Sequence, residues 1–303
     1  GTYDATSGTT TLTGEHTSGF VWYNVGTFND NDGTVTIGDG STSIGTTHIR
    51  ESRFHHLIIN RDASSTNTVW RASSGTTLTA DGDLTITKGF LYRNTVTHTL
   101  TVTGNVTVEA NGTLGLTADT GPNNFGGLQI NSGGTYNATS GTTTITNKIS
   151  SGTYTNYMFQ NAGTFNHNKG TVHWKADTSS GTWYAMNGST GATPTSFYNI
   201  STERVRASGT EQYRFWTGGS GRVLTVLNNI DIGANTRIFS SNGTGVFNHS
   251  GNCYISGILN IVNVTTVNMG PVTIESGGDL EFADGNTVNV EGIRNIGGTV
   301  TVT

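Results

Sequence analysis

Three groups of residues in this 303-residue chain have the types and spacing to do chemistry. The first is acidic. Asn29-Asp30-Asn31-Asp32-Gly33 sets two carboxylates beside two amides, the clustered oxygen donors that calcium favours. The EF-hand pattern is not met, because Phe28 stands at the first ligand position and no suitable Glu follows. A related phrase, Asn166-His167-Asn168-Lys169-Gly170, carries lysine where Asp32 stands, so the segment reads as a solvated turn and no metal ligand is assigned. Asp81 with Asp83, and Glu275 with Glu281, offer carboxylate pairs. Glycoside cleavage needs two such groups roughly 5–9 Å apart. Acids beside Gly are ordinary at surface turns, and no ring or base adjoins Asp81 and Asp83 to shape a sugar subsite. No catalytic residue is assigned.

Histidines form the second group. His55 and His56 are adjacent, and neighbours in a strand point to opposite faces, so the two cannot share one ion. The expectation is that one packs inward and the other faces solvent. His167 and His173 flank the turn at Gly170 and are expected on adjacent strands, but a zinc site would need further ligands. A Ser-His-Asp triad is not local in sequence and cannot be read from it.

The third group is aromatic: FVWYN at 20–24, YTNYMF at 154–159 and YRFW at 213–216. Trp and Tyr present flat apolar faces with polar edges, suited to sugars or protein partners. Trp22, Tyr23, Tyr154, Tyr157, Trp183, Tyr184 and Trp216 are the candidate contacts; stacking inside the fold is the competing reading. The Gly-rich stretch at 217–222 lacks the GK[ST] ending of a phosphate loop, and no cofactor is expected.

The elements that must position these residues are β. Charged residues make up 12% of the chain and hydrophobic ones 32%, with 43 Gly, 3 Pro and short runs of Thr, Val and Ile. Those residues fit a pleated, half-buried surface. A net charge of −5 argues against nucleic acid as a partner, since phosphate binding needs a clustered positive surface. No apolar run approaches the roughly 18 residues of a membrane-spanning helix. Cys253 is the single cysteine, which excludes an internal disulfide and suits a small packed side chain.

Repetition decides the architecture. GTYDATSGTTTLTG at 1–14 returns as GTYNATSGTTTITN at 134–147, with only Asp4/Asn137, Leu12/Ile145 and Gly14/Asn147 changed. GTFNDNDGTVTI at 26–37 returns as GTFNHNKGTVHW at 163–174, and TGNVTVEANGTL at 103–114 has a counterpart in SGNCYISGILNI at 250–261. The chain therefore divides into a first repeat unit at 1–133, a second at 134–277 and the start of a third at 278–303, read as one continuous rod cut from a longer chain. Short alternating phrases between Gly and Asn-Gly turns fit a right-handed parallel β-helix, a β-solenoid, of about two repeats of roughly 140 residues. At roughly 20 residues per coil this gives about fifteen coils, with Thr and Asn stacked in ladders at the strand spacing. Tandem β-sandwiches are the alternative.

The phrases GTFNHNKGTV, SFYNISTE and SGGTYNATSGTT resemble those of long repetitive β-solenoid proteins of bacterial surfaces and tailed-phage virions. The resemblance implies a noncatalytic structural or adhesive role in a virion fibre, spike or capsid decoration, or on a cell surface outside the cell. It implies other subunits of that assembly, further copies of the chain or a host glycan as partners, and no catalytic residues. Glycan-binding surface adhesins and polysaccharide-cleaving tailspikes are the alternatives it leaves open.

Overall fold

The computed structural model describes residues 1–14, 19–40, 46–50, 53–62, 67–70, 77–150, 157–176, 182–187, 195–204, 209–215, 223–240 and 245–303. Among these residues every regular element is a β-strand. The strands stack in parallel as a β-solenoid of about ten turns. β-Sandwiches are overturned, because they need antiparallel ladders and each strand here pairs in parallel with the equivalent strand of the next coil. Most coils are longer than expected, the spacing running from 19 residues between Cys253 and Val272 to 30 between Ile200 and Ile230. Three short strands and their corners make one coil, as in Val223–Val226, Ile230–Ile232 and Thr236–Ser240.

Two compact units divide the chain: residues 1–143 with 162–168, and residues 144–161 with 169–303. In the first unit two inward columns run across the coils. One is Val35, Leu57, Leu84, Val106 and Leu128; the other is Ile37, Ile59, Ile86, Val108 and Ile130. Every member is buried. Between them Thr36, Ile58, Thr85, Thr107 and Gln129 point outward, the two-residue alternation of a sheet with one face on a core. Each residue added to such a column removes roughly 1.5–3 kcal/mol worth of apolar surface from water.

The second unit repeats the arrangement with Val172, Ile200, Ile230, Cys253 and Val272 in register. Cys253 sits in this column as a packed side chain, and burial pushes its thiol pKa up, away from reactivity. The expected Asn ladder is present: Asn268 Nδ2 donates to Asn248 Oδ1 at 2.9 Å, and Asn289 Nδ2 donates to Asn268 Oδ1 at 2.9 Å.

The duplicated opening phrases occupy equivalent coils of the first unit. Tyr3 lies in register with Phe28, and Tyr136 with Phe165. Asn29 Nδ2 donates to Asp4 Oδ1 at 2.6 Å, and Asn166 Nδ2 to Asn137 Oδ1 at 2.7 Å. Glycine is required where the coils meet: a Cβ on Gly163 would stand 2.4 Å from the carbonyl oxygens of both Asn131 and Gly134. Around Tyr136 a polar chain crosses the interior. Thr143 Oγ1 lies 2.9 Å from the Tyr136 hydroxyl, Asn123 Nδ2 donates to that hydroxyl, and Arg93 donates to Asn123 Oδ1, His98 O and Gly121 O. Asp119, fully buried, completes the chain 3.5 Å from Arg93 Nε.

Candidate functional site

The aromatic candidates separate once strand register is known. Trp22 turns toward the interior, edge-on to Phe28 at 4.8 Å and to Tyr3 and Phe54 at 5.9 Å. Its neighbour Tyr23 is 54% exposed and receives a 3.0 Å hydrogen bond from Arg50, whose guanidinium lies 4.9 Å over the ring. Tyr154, Trp216 and the side chain of Trp183 lie outside the described residues. Tyr157 and Tyr184 are brought together. They pair across adjacent coils of the second unit with ring centroids 5.5 Å apart, edge to face.

That pair begins an outward row. In consecutive coils the same position is held by Tyr157, Tyr184, Arg214, Phe239, Asn260 and Glu281. The row exists because Glu211–Phe215 alternates, with Tyr213 and Phe215 buried in the interior and Arg214 facing out. The Arg214 guanidinium lies 5.0 Å from the Tyr184 ring and 4.8 Å from the Phe239 ring. Beside it, Arg237 pairs with Glu281 at 2.9 Å, and Asn260 also donates to Glu281. Gln212, Arg214, Arg237, Phe239, Asn260 and Asn263 line a groove of about 360 Å³. Arg214, Phe239 and Arg237 are not evident as a site in the sequence. The alternation in TRIFS marks Arg237 and Phe239 as outward, but coils of unequal length hide which residues stack.

The acidic candidates are engaged elsewhere. Asp81 is bound to Arg53 at 2.6 Å, and Asp83 Oδ1 accepts the Asn105 backbone N–H at 2.7 Å. Glu281 is held by Arg237 and Asn260. Burial raises the pKa of Asp279, two residues before Glu281, while a hydrogen bond from Thr301 opposes that shift. Asp30, Asp32 and His55 place one donor atom each within 4.8 Å of one another, a set able to meet a divalent cation. The turn that makes it does not depend on one. Asn31 and Asp32 take φ of 47° and 58°, and Asn168 and Lys169 repeat that pair at 48° and 60° with lysine in place of the second acid.

The expectation for His55 and His56 is corrected. Both are half-buried and their rings meet edge to face at 4.5 Å. The chain bends at His55, between the strands Arg53–Phe54 and His56–Asn60, so strand alternation does not separate the two. His56 Nδ1 accepts the Asp83 N–H at 2.8 Å. In the second unit His173 Nδ1 lies 2.8 Å from Ser201 Oγ and its Nε2 lies 3.3 Å from Glu203. The elements of a hydroxyl, imidazole and carboxylate relay are there, but Lys175 holds the same Glu203 at 2.9 Å and lowers its pKa. Burial keeps His173 below its ordinary pKa, against the pull of Glu203.

No family model, curated protein or solved structure matches the chain. The fold itself defines the class: a parallel β-solenoid of about ten turns.

Proposed function

We propose that the chain is a noncatalytic structural and adhesive β-solenoid segment of an extracellular assembly, a virion fibre, spike or capsid decoration. The observation that carries the reading is the register-matched stacking of like on like. Aliphatic columns and the Asn248–Asn268–Asn289 ladder tie each coil to the next along both compact units. Such a stack resists being pulled apart because each coil is held by a full set of backbone hydrogen bonds and a share of the core. The Gly/Thr/Asn-rich phrases resembling virion and surface solenoids support placing it outside the cell.

A bacterial surface adhesin is the second reading, favoured by the outward row of rings and guanidinium in the second unit. Polysaccharide cleavage is disfavoured by the engagement of Asp81, Asp83 and Glu281 with structural partners. Single-molecule stretching tests the mechanical reading. It should give a series of unzipping steps whose contour lengths match single coils; one cooperative low-force event would refute it. Incubation with acidic and neutral polysaccharides should release no reducing ends, and release would overturn the noncatalytic assignment.

A further inference from the structure

We infer that the groove at Arg214 and Arg237 is a binding site for a linear polysaccharide bearing carboxylates, a polyuronate. The inference rests on the adhesive part of the reading above and adds its ligand. The row places rings and a guanidinium at one position of successive coils, so their spacing is that of neighbouring strands, about 4.8 Å. A ligand that runs along the row meets Tyr184, then the Arg214 guanidinium that lies over the Tyr184 and Phe239 rings, then Phe239. Rings accept the apolar faces of sugars, and a guanidinium grips a carboxylate through two parallel hydrogen bonds.

Arg214 is poised for such a partner. Its one hydrogen bond is a long one, 3.4 Å to the Tyr184 hydroxyl, and among the described residues no carboxylate pairs with it. Its Nε is buried without an acceptor, as is the Nε of Arg237. An unsatisfied buried donor is unfavourable, and more so when the group carries charge. A ligand oxygen reaching into the groove would remove that penalty. The rings on either side fix the guanidinium plane before anything binds, so little side-chain freedom is lost on binding. Gln212, Asn260 and Asn263 line the same groove with amides, which both donate to and accept from hydroxyls. The chain as a whole carries a net charge of −5 and Arg237 is already paired with Glu281, so attraction of a polyanion here is local to Arg214.

A single polyuronate is the occupant that uses all three elements. A neutral glycan would leave Arg214 unpaired. A nucleic acid would need a longer positive track than two arginines supply.

The test is calorimetric titration of the intact chain with oligogalacturonate at low salt, with dextran oligomers and single-stranded DNA as comparisons. Oligogalacturonate should bind, weaken as salt rises, and bind at least tenfold more tightly than either comparison. Arg214→Gln should lose at least tenfold in affinity, whereas Arg53→Gln, which removes the same charge from the first unit, should not change it. In the unaltered chain, oligogalacturonate should also protect Arg214 from phenylglyoxal modification, a readout that needs no variant to fold. No binding, equal binding of dextran or DNA, unchanged affinity of Arg214→Gln, or absence of protection would each overturn the site. None of these outcomes touches the stretching and cleavage tests, so the scaffold reading stands or falls separately.

Discussion

The two copies of the opening phrase are nearly identical in sequence and in local geometry, yet they differ completely in burial. Tyr3 is 46% exposed, while Tyr136 is fully buried. Each stacks on the phenylalanine of the next GTFN phrase, with ring centroids 5.9 Å apart in both cases. The difference lies on the other side of the ring. Leu114 precedes Tyr136 in register, Phe125 packs against it at 5.9 Å, and Asn123 and Thr143 satisfy its hydroxyl. Tyr3 instead meets the edge of Trp22 at 5.9 Å. A phrase therefore specifies a coil, and the neighbours in the stack specify what that coil contributes.

Breaking the polar chain behind the buried copy should have the largest effect. Asp119→Ala leaves Arg93 charged in the interior and should destabilise the first unit by about 3–5 kcal/mol in denaturant titrations. A concerted Arg93→Met/Asp119→Leu change should recover most of that loss, and failure to recover would show that the network organises the fold beyond pairing its charges. Tyr136→Ala comes next. Loss of a buried ring should destabilise by about 3–5 kcal/mol, whereas Tyr3→Ala should lose about 1 kcal/mol. Equal losses would contradict the burial difference.

Alkaline pH sharpens the same contrast. Burial pushes the Tyr136 hydroxyl up to about 12, from the ordinary value near 10. A group whose folded pKa is raised stabilises the protein fully below its unfolded pKa, and that stability is lost as pH rises through the folded pKa. Between pH 10 and 12 the chain should therefore lose on the order of 3 kcal/mol, and Tyr136→Phe should remove that loss. A pH-independent melting temperature over this range in the unaltered chain would count against it.

The glycines give a smaller contrast. Gly163→Ala meets two backbone carbonyls from neighbouring coils and should destabilise by about 1–3 kcal/mol. Gly8→Ala meets only the Thr6 hydroxyl, at an ordinary 3.4 Å, so its effect should be below about 0.5 kcal/mol. The smallest contrast should vanish altogether. Asn29→Ala and Asn166→Ala each remove one hydrogen bond to the preceding coil, at exposed sites in both copies, and each should destabilise by about 1 kcal/mol.

Much of the fold was legible before any coordinates. Alternation in the short phrases turns one face inward, and Val106, Val108, Leu128 and Ile130, which follow it, are buried. Cys253 was readable as a packed side chain because its phrase alternates around it. The coil count was overestimated because a phrase and a coil are different units, and three phrases with their corners close one turn. The two histidines were misplaced because the bend at His55 leaves no mark in composition. At the groove, Tyr157 and Tyr184 could be chosen from residue type alone. Arg214, Arg237 and Phe239 could not, since their adjacency arises between strands roughly 25–30 residues apart.

The sequence by itself determined the all-β class, because a two-residue alternation, β-branched residues and repeated Gly turns suit short strands; parallel stacking rather than sandwiches was decided by strand pairing. It also determined that the duplicated phrases would form the same coil, because their local hydrogen bonds and glycine contacts are written in the phrases. Only the tertiary structure decided what surrounds the Tyr136 ring, and which outward side chains become neighbours. Those properties depend on the register between coils, and register is set by loop lengths that vary from turn to turn without changing the local pattern.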